Sequence, residues 1–529
     1  MRKKISLLLV LSLIMSILPI NGAWVQASDT LTRGATVTAD SESPTGFTVT
    51  FVHYNPDAEL VELSGNFMMR SHDDADDTTT FHPENYHSGL FPAGGFLTYM
   101  DDAGNGYWVY SLPLSGGTMT YHFYVTIGEE RVRTRDVYNQ MITRPVTPDG
   151  GIEESMIFVP WDSSLQHENN NRELERPRVD QQGEVIIKTY LASNGEQEWI
   201  GIYLPYGFDV NRAEPYPVVY LSHGMGGNEL QWLTTGAVPQ IMDNLIAENI
   251  LEPTVIVTVD HNPFEFSGFH GPHPGPVRNL MHYVIPFVES NFNVSDRPEQ
   301  RAAAGLSMGA SVVTNLFYEY TTEFMYFGMF SGGGNAAEFD LVNLENKDVP
   351  TIMFGYGAFT PRESPPFLTM YLAFPAALDE AGIEYSYYPV MGAHDSHAWA
   401  QLFAIFAENY LWTTSFGAEI TAIAYEEYSV QTSGLRLEID NVFDQTMLPL
   451  RMIAEALGAE VDWDGDARVV TIFNDGQIVT LTIDEPLPND MGVPIIVNSR
   501  TFVPIAFVLE LFDIEISWDD SGIAIYIKY

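Results

Sequence analysis

The sequence predicts an α/β domain at the centre of a multidomain chain, and three observations lead there. Continuous apolar runs of the fully buried kind, YPVVYLSHG and TVIVTVD, alternate with stretches of helical spacing, VPQIMDNLIAENI and MHYVIPFVESNF. That alternation argues for a mostly parallel sheet covered on both faces. The stretch RAAAGLSMGA, residues 301–310, sets Gly305, Ser307 and Gly309 as G-x-S-x-G between a buried strand and the helix SVVTNLFYEY. Finally, the texture changes on either side of this region. Short alternating strands precede it, as in an antiparallel β-sandwich, and a small α+β repeat follows it.

At 529 residues the chain exceeds what one hydrophobic core organises. Residues 1–27 read as a secretory signal: MRKK is a positive start, ISLLLVLSLIMSILPI an apolar core, and Val25-Gln26-Ala27 a small-residue cleavage site. Pro19 and the shortness of that core argue against a membrane anchor, and no later segment approaches about 18 uninterrupted apolar residues. No membrane span is therefore expected after signal removal. The absence of cysteine excludes disulfides, and export without them fits a bacterial extracellular or cell-wall setting. The formal net charge of −46 disfavours nucleic acid and anionic membrane as partners.

In chain order, residues 28–45 are polar and rich in Ser and Thr, the composition of a flexible leader. Residues 46–161 hold the strands GFTVTFVHY, AELVELSGNF, GYWVYSLPL, GTMTYHFYVTIG and SMIFVPW between Asp, Gly, Pro and Asn clusters, the spacing of a sandwich. The run Val61-Glu62-Leu63-Ser64-Gly65-Asn66-Phe67, then Trp108-Val109, then Tyr121-His122-Phe123-Tyr124-Val125, resembles the early-set, immunoglobulin-like modules found beside glycan-active enzymes. Trp108, Tyr110 and Tyr121 would stack on sugar rings if exposed, and would fill the core if not. Residues 162–183, DSSLQHENNNRELERPRVDQQG, are charged and nearly devoid of apolar side chains, and read as a linker.

Residues 184–416 contain the predicted α/β domain. The serine of G-x-S-x-G sits on a strained turn that lifts its hydroxyl clear of the sheet, which makes Ser307 a candidate nucleophile and the Met308 N–H a candidate oxyanion donor. LSHGMGGNELQW, 221–232, places His223-Gly224-Met225-Gly226-Gly227 at the C-terminal end of a central strand, the edge where open α/β sheets bind ligands. Met225 is the candidate second donor. MGAHDSHAWAQ, 391–401, puts His394 late in the chain, where the order serine, acid, histidine requires it.

With YLPYGFD, YPVVYLSHGMGGNELQW, RPEQRAAAGLSMGA, FSGGG and GAHDSHAW in order, residues 184–415 resemble the esterase family of α/β-hydrolases that includes feruloyl, acetylxylan and enterochelin esterases. The resemblance implies Ser307 as nucleophile and His394 as general base and acid, with no cofactor. Trp232 and Trp399 match the family's structural aromatics. The chain departs from the family at the acid: where the family carries Asp after its strand, this sequence has Gly357-Ala358-Phe359-Thr360. Glu363 is the nearest carboxylate, and Asp395 is poorly placed to turn back onto its neighbour. Ala310 also replaces a common third glycine.

His261, His270 and His273 in DHNPFEFSGFHGPHPGP invite a metal reading, but a Pro- and Gly-rich active-site loop is the commoner explanation, and no metal is expected. Phe264 and Phe266, together with Trp232, are the candidate substrate-contacting aromatics.

After a connector at 417–440, residues 441–529 carry an internal repeat. TMLPLRMIAEALGAEVDWDGDARVVTI, 446–472, recurs as TFVPIAFVLELFDIEISWDDSGIAIYI, 501–527, with Pro449 matching Pro504 and Trp463-Asp464 matching Trp518-Asp519. The unit is similar to the copper amine oxidase N-terminal-like domain. It lacks a copper-ligand cluster and reads as a cell-wall attachment or interaction module.

These readings converge on a secreted serine esterase acting on feruloyl or acetyl esters of plant cell-wall polysaccharide. Two alternatives stand beside it: a siderophore esterase, and a non-catalytic glycan- or wall-binding protein on a degenerate hydrolase.

Overall fold

The structure is a computed structural model that describes residues 31–71, 85–87, 90–139, 155–264, 273–333, 350–357 and 385–412, and parts of 374–383 and 437–528. Residues 1–27, read as a signal, lie outside the described residues.

The central sheet has eight strands: β1 (Glu184–Leu191), β2 (Gln197–Leu204), β3 (Val218–Ser222), β4 (Val255–Val259), β5 (Arg301–Leu306), β6 (Tyr326–Phe330), β7 (Thr351–Gly357) and β8 (Ser386–Val390). Their spatial order is β1-β2-β4-β3-β5-β6-β7-β8. β2 runs antiparallel to both of its neighbours, and every pairing from β4 to β8 is parallel. This is the α/β-hydrolase-like arrangement, a mixed and mostly parallel sheet.

Both faces are covered, so the inner strands carry apolar residues at every position instead of alternating. Val218 and Tyr220 of β3 point into a core shared with helices α2 (Pro274–Asn279), α3 (Ile285–Asn291) and α4 (Met308–Tyr320). Val219 and Leu221 point the other way, against α1 (Val238–Ala247) and α5 (Ser396–Asn409). The period of two along a strand sorts one apolar run between two cores.

Before the sheet lie two antiparallel sheets packed over one core that includes Val49, Phe51, Val61, Leu63, Trp108, Tyr121 and Phe123. Trp108 and Tyr121 are buried and Tyr110 packs against the same core, so these aromatics serve the sandwich's own packing. Gly34–Ala39, within the expected flexible leader, is an edge strand paired with Phe47–Tyr54. Its β-branched run Thr36-Val37-Thr38 suits a strand despite its polarity.

The linker is not a loose spacer. Gln166, Asn170, Arg172 and Glu175 are buried, and the Arg172–Glu175 ion pair is enclosed. Glu175 accepts the Thr118 N–H of the sandwich, and Asn244 of α1 donates to the Leu174 and Arg176 carbonyls. Its polar residues therefore bond into both neighbours.

In the C-terminal region the repeat is visible in the pairing. Glu460–Asp464 forms a hairpin with Val469–Asn474, as Glu515–Trp518 does with Ala524–Lys528. The leading segments Thr446–Pro449 and Arg500–Pro504 are strands that pair with each other. Leu450, Ala454, Val470 and Ile472 of one unit share a core with Val503 and Phe507 of the other. Neither unit closes a core alone, which is why two are present.

Candidate active site

Ser307 occupies the turn between β5 and α4 with φ 51° and ψ −118°, a conformation that costs a non-glycine residue about 1–3 kcal/mol. The flanking glycines are required by close backbone approach. A Cβ on Gly305 would lie 2.4 Å from the Gly309 carbonyl carbon, and one on Gly309 would lie 2.3 Å from the Ser222 carbonyl oxygen. The Ala310 departure is accommodated opposite: a Cβ on Gly332 would meet the Ala310 methyl at 2.9 Å, so the missing side chain there makes room for it. Met308 begins α4, where the first N–H groups have no partner within the helix.

His394 follows β8, and its Nε2 lies 2.9 Å from Ser307 Oγ. The sequence placed these residues 87 positions apart, and the fold brings them into hydrogen-bond contact. Burial pushes the His394 imidazole down to about 4, with Asp395 acting in the opposite sense. The ring meets Trp399 edge to face at 5.2 Å between centroids. Asp395 is the N-cap of α5: its Oδ1 accepts the His397 and Ala398 N–H groups and its Oδ2 accepts the Gly94 N–H. Both oxygens are thus engaged away from the histidine, as the sequence suggested. Glu363, the other acid considered, lies outside the described residues.

The end of β3 sits against the nucleophile. A Cβ on Gly224 would come 3.2 Å from Ser307 Cβ, so glycine lets this backbone close on the elbow. His223 Nδ1–H donates to the Gly224 carbonyl, and its Nε2 accepts the His261 N–H at 2.8 Å. This pair of bonds ties the ends of β3 and β4 together. Met225, next in the chain, is exposed, as a residue at the mouth of a site would be.

Two of the other expectations change. Trp232 is a core residue: it is fully buried, it donates from Nε1 to the Ser222 carbonyl, and it packs against Phe330 and Phe403. It therefore supports β3 and cannot contact substrate. Phe264 belongs to the core beneath the sheet, and Phe266 and His270 lie outside the described residues. His261 and His273 are buried, and burial pushes both imidazoles below their ordinary range, His273 to about 4. The His261 ring lies within the fold, its Nε2 3.0 Å from Ser222 Oγ. Among the described residues no group of three His, Cys, Asp or Glu is arranged to hold a metal ion. Among them also, no helix is long and apolar enough to cross a membrane.

Sequence reasoning missed the cap formed by Asp395 and its neighbours. The signal was present, since Asp followed at once by a helical run is an N-cap pattern.

A strained elbow serine in contact with a late histidine, on a sheet of this order, defines a hydrolase-type domain. Residues 193–409 match the family model described as "Putative esterase", and residues 440–527 match "Copper amine oxidase N-terminal domain". The chain thus carries one segment that matches an esterase model and, after it, one that matches a copper amine oxidase N-terminal domain model. It is 30% identical over 237 residues to an endo-1,4-beta-xylanase/feruloyl esterase of Xylanibacter ruminicola, covering 43% of this chain and 32% of that protein. It is 31% identical over 167 residues to endo-1,4-beta-xylanase Y of Acetivibrio thermocellus, covering 31% of this chain and 13% of that one. The chain spans about a third or less of the length of these curated relatives. Among solved structures it is similar to a ferulic acid esterase of Anaeromyces mucronatus, with 19% identity, coverage of 45% and 95%, and a TM-score of 0.40. It is also similar to the enterobactin esterase of Shigella flexneri, with 15% identity, coverage of 70% and 94%, and a TM-score of 0.42.

Proposed function

We propose that this chain is a secreted serine carboxylic ester hydrolase that removes feruloyl or acetyl groups from plant cell-wall polysaccharide. The observation that carries the chemistry is the 2.9 Å contact between Ser307 Oγ and His394 Nε2 at a strained elbow. Neutral His394 takes the Ser307 proton as Oγ attacks the ester carbonyl. The Met308 and Met225 N–H groups hold the oxyanion, His394 returns the proton to the leaving alcohol, and water then releases the acid from the acyl-enzyme. Glu363 is the proposed acceptor on His394 Nδ1–H.

The substrate class draws support from the Xylanibacter ruminicola relative, whose name pairs xylanase with feruloyl esterase. Export draws support from the signal-like sequence of residues 1–27, and the C-terminal repeat is proposed to hold the enzyme at the cell wall. The test is release of ferulate and acetate from arabinoxylan, beside hydrolysis of a catecholate trilactone, with fluorophosphonate labelling of the serine. The parent should release an aromatic or acetyl acid and label, and Ser307→Ala should do neither. Preference for the trilactone would move the enzyme to siderophore chemistry, and a parent that does not label would make the domain a binding protein.

A further inference from the structure

The three residues that follow His394 are each held by the N-terminal sandwich. Asp395 Oδ2 accepts the Gly94 N–H at 3.1 Å. Ser396 Oγ accepts from Asn66 Nδ2 at 3.0 Å. His397 Nε2 lies 2.5 Å from the Asn66 carbonyl oxygen, which can only accept, so the ring carries its proton on Nε2 and donates it. Alongside these bonds, Met391 and Ala393 on the near side of His394 pack against Phe91 and Ala93 of the sandwich in a small buried cluster.

The sandwich groups making these contacts are themselves anchored. The Asn66 N–H donates to the Thr120 carbonyl and Asn66 Oδ1 accepts the Thr120 N–H, which fixes the residue against the long strand Gly117–Ile127. The Ala93 N–H donates to the Met68 carbonyl, joining the Asn66 and Gly94 loops into one surface. Gly94 has φ +105°, a conformation open to glycine, and in it the N–H faces Asp395. His397 is buried among Asp395 on its own helix and Arg172 and Glu175 of the linker.

We infer that the sandwich is a positioning part of the esterase site: Asn66 and Gly94 clamp residues 395–397, and so set the distance from His394 to Ser307. The inference rests on the Ser307–His394 reading for its catalytic consequence. The physical reason is that β8 delivers only one end of this loop, and α5 begins at the other. Displacement of a general base by about 1 Å can cost on the order of 10²-fold in rate. Hydrogen bonds from the sandwich after His394, and its apolar packing before it, suppress that displacement. His397, which touches neither Ser307 nor an expected ester, acts through His394 and is a positioning residue.

The test uses the full chain, with His397→Ala and His397→Gln compared to the parent. Amide hydrogen exchange is followed over residues 391–399, and kcat and KM are measured on p-nitrophenyl acetate. His397→Ala should speed exchange in this loop and lower kcat by about 10- to 100-fold with KM within about twofold. His397→Gln, which keeps an N–H donor toward the Asn66 carbonyl, should recover most of both. Should His397→Ala unfold, Asn66→Ala and Ser396→Ala serve, singly and combined. Their effects on loop exchange and kcat should be less than additive, because each breaks the same bond. Exchange in the loop like that of the parent, or fully additive effects in the second series, would overturn the clamp. A parent that never turns over the ester, with loop exchange still responding to the variants, would support the clamp and overturn the esterase reading instead.

Discussion

At the scale of single residues, the site is built from opposed requirements. Ser307 must stand in a strained turn, and Gly305 and Gly309 relieve the crowding that the turn creates. His394 must be neutral to accept a proton, and burial favours the neutral ring by drawing its value down to about 4. An ionised carboxylate on Nδ1 would act in the other direction, stabilising the imidazolium and raising the value. That sign makes the pH profile a reading of the third residue. If Glu363 fills the role, Glu363→Gln removes the negative charge, so the acid limb of kcat/KM should move to lower pH, while kcat falls by on the order of 10⁴. A limb at the same pH in both proteins, with kcat within threefold, would leave a Ser-His dyad as the mechanism.

At the scale of elements, the linker shows how composition and role can part. Residues 162–183 carry the polarity of a solvated spacer, yet Arg172 and Glu175 side chains are only 5% and 3% exposed, while Arg176 and Glu173, one step away, are 48% and 37% exposed. The two pairs share the same spacing and should differ sharply in energy. Arg172→Ala leaves a buried carboxylate unpaired and should cost about 3–5 kcal/mol. Arg176→Ala breaks an exposed pair and should cost about 0–1 kcal/mol. Urea denaturation of the two variants checks this, and equal midpoints would remove the linker from the load between sandwich and hydrolase. The same element-level logic separates Trp232 from its sequence reading. An aromatic nine residues beyond His223 could face a cleft or a core, and the helix-side packing against Phe403 decides for the core.

At the scale of the whole molecule, the parts differ in how they depend on one another. Among the described residues, the repeat domain's core, from Leu450 to Phe507, is drawn from that domain alone. A chain ending at Gly417 should therefore hydrolyse a soluble aryl ester at an unchanged kcat. A large loss of kcat in a folded protein of that length would refute its independence. The sandwich is the opposite case, because its loops close on the residues beside His394. Two modules that look alike as accessories in sequence thus stand in different relations to the site.

Local chemistry was sufficient for several features of this protein. G-x-S-x-G next to a buried strand, an apolar run with no polar positions, and a repeated Trp-Asp strand each reflect a constraint between residues near in sequence, so the elbow, the doubly covered sheet and the two-unit C-terminal domain were legible. The burial of the linker ion pair, the conversion of Trp232 to support and the hold of Asn66 on His397 were not. Each depends on which surfaces meet after the chain has folded, and the partners lie far apart in sequence: Asn66 and His397 are 331 residues apart. A hydrogen bond between such residues leaves no period or spacing behind. Only the tertiary structure could place a sandwich loop beside His394.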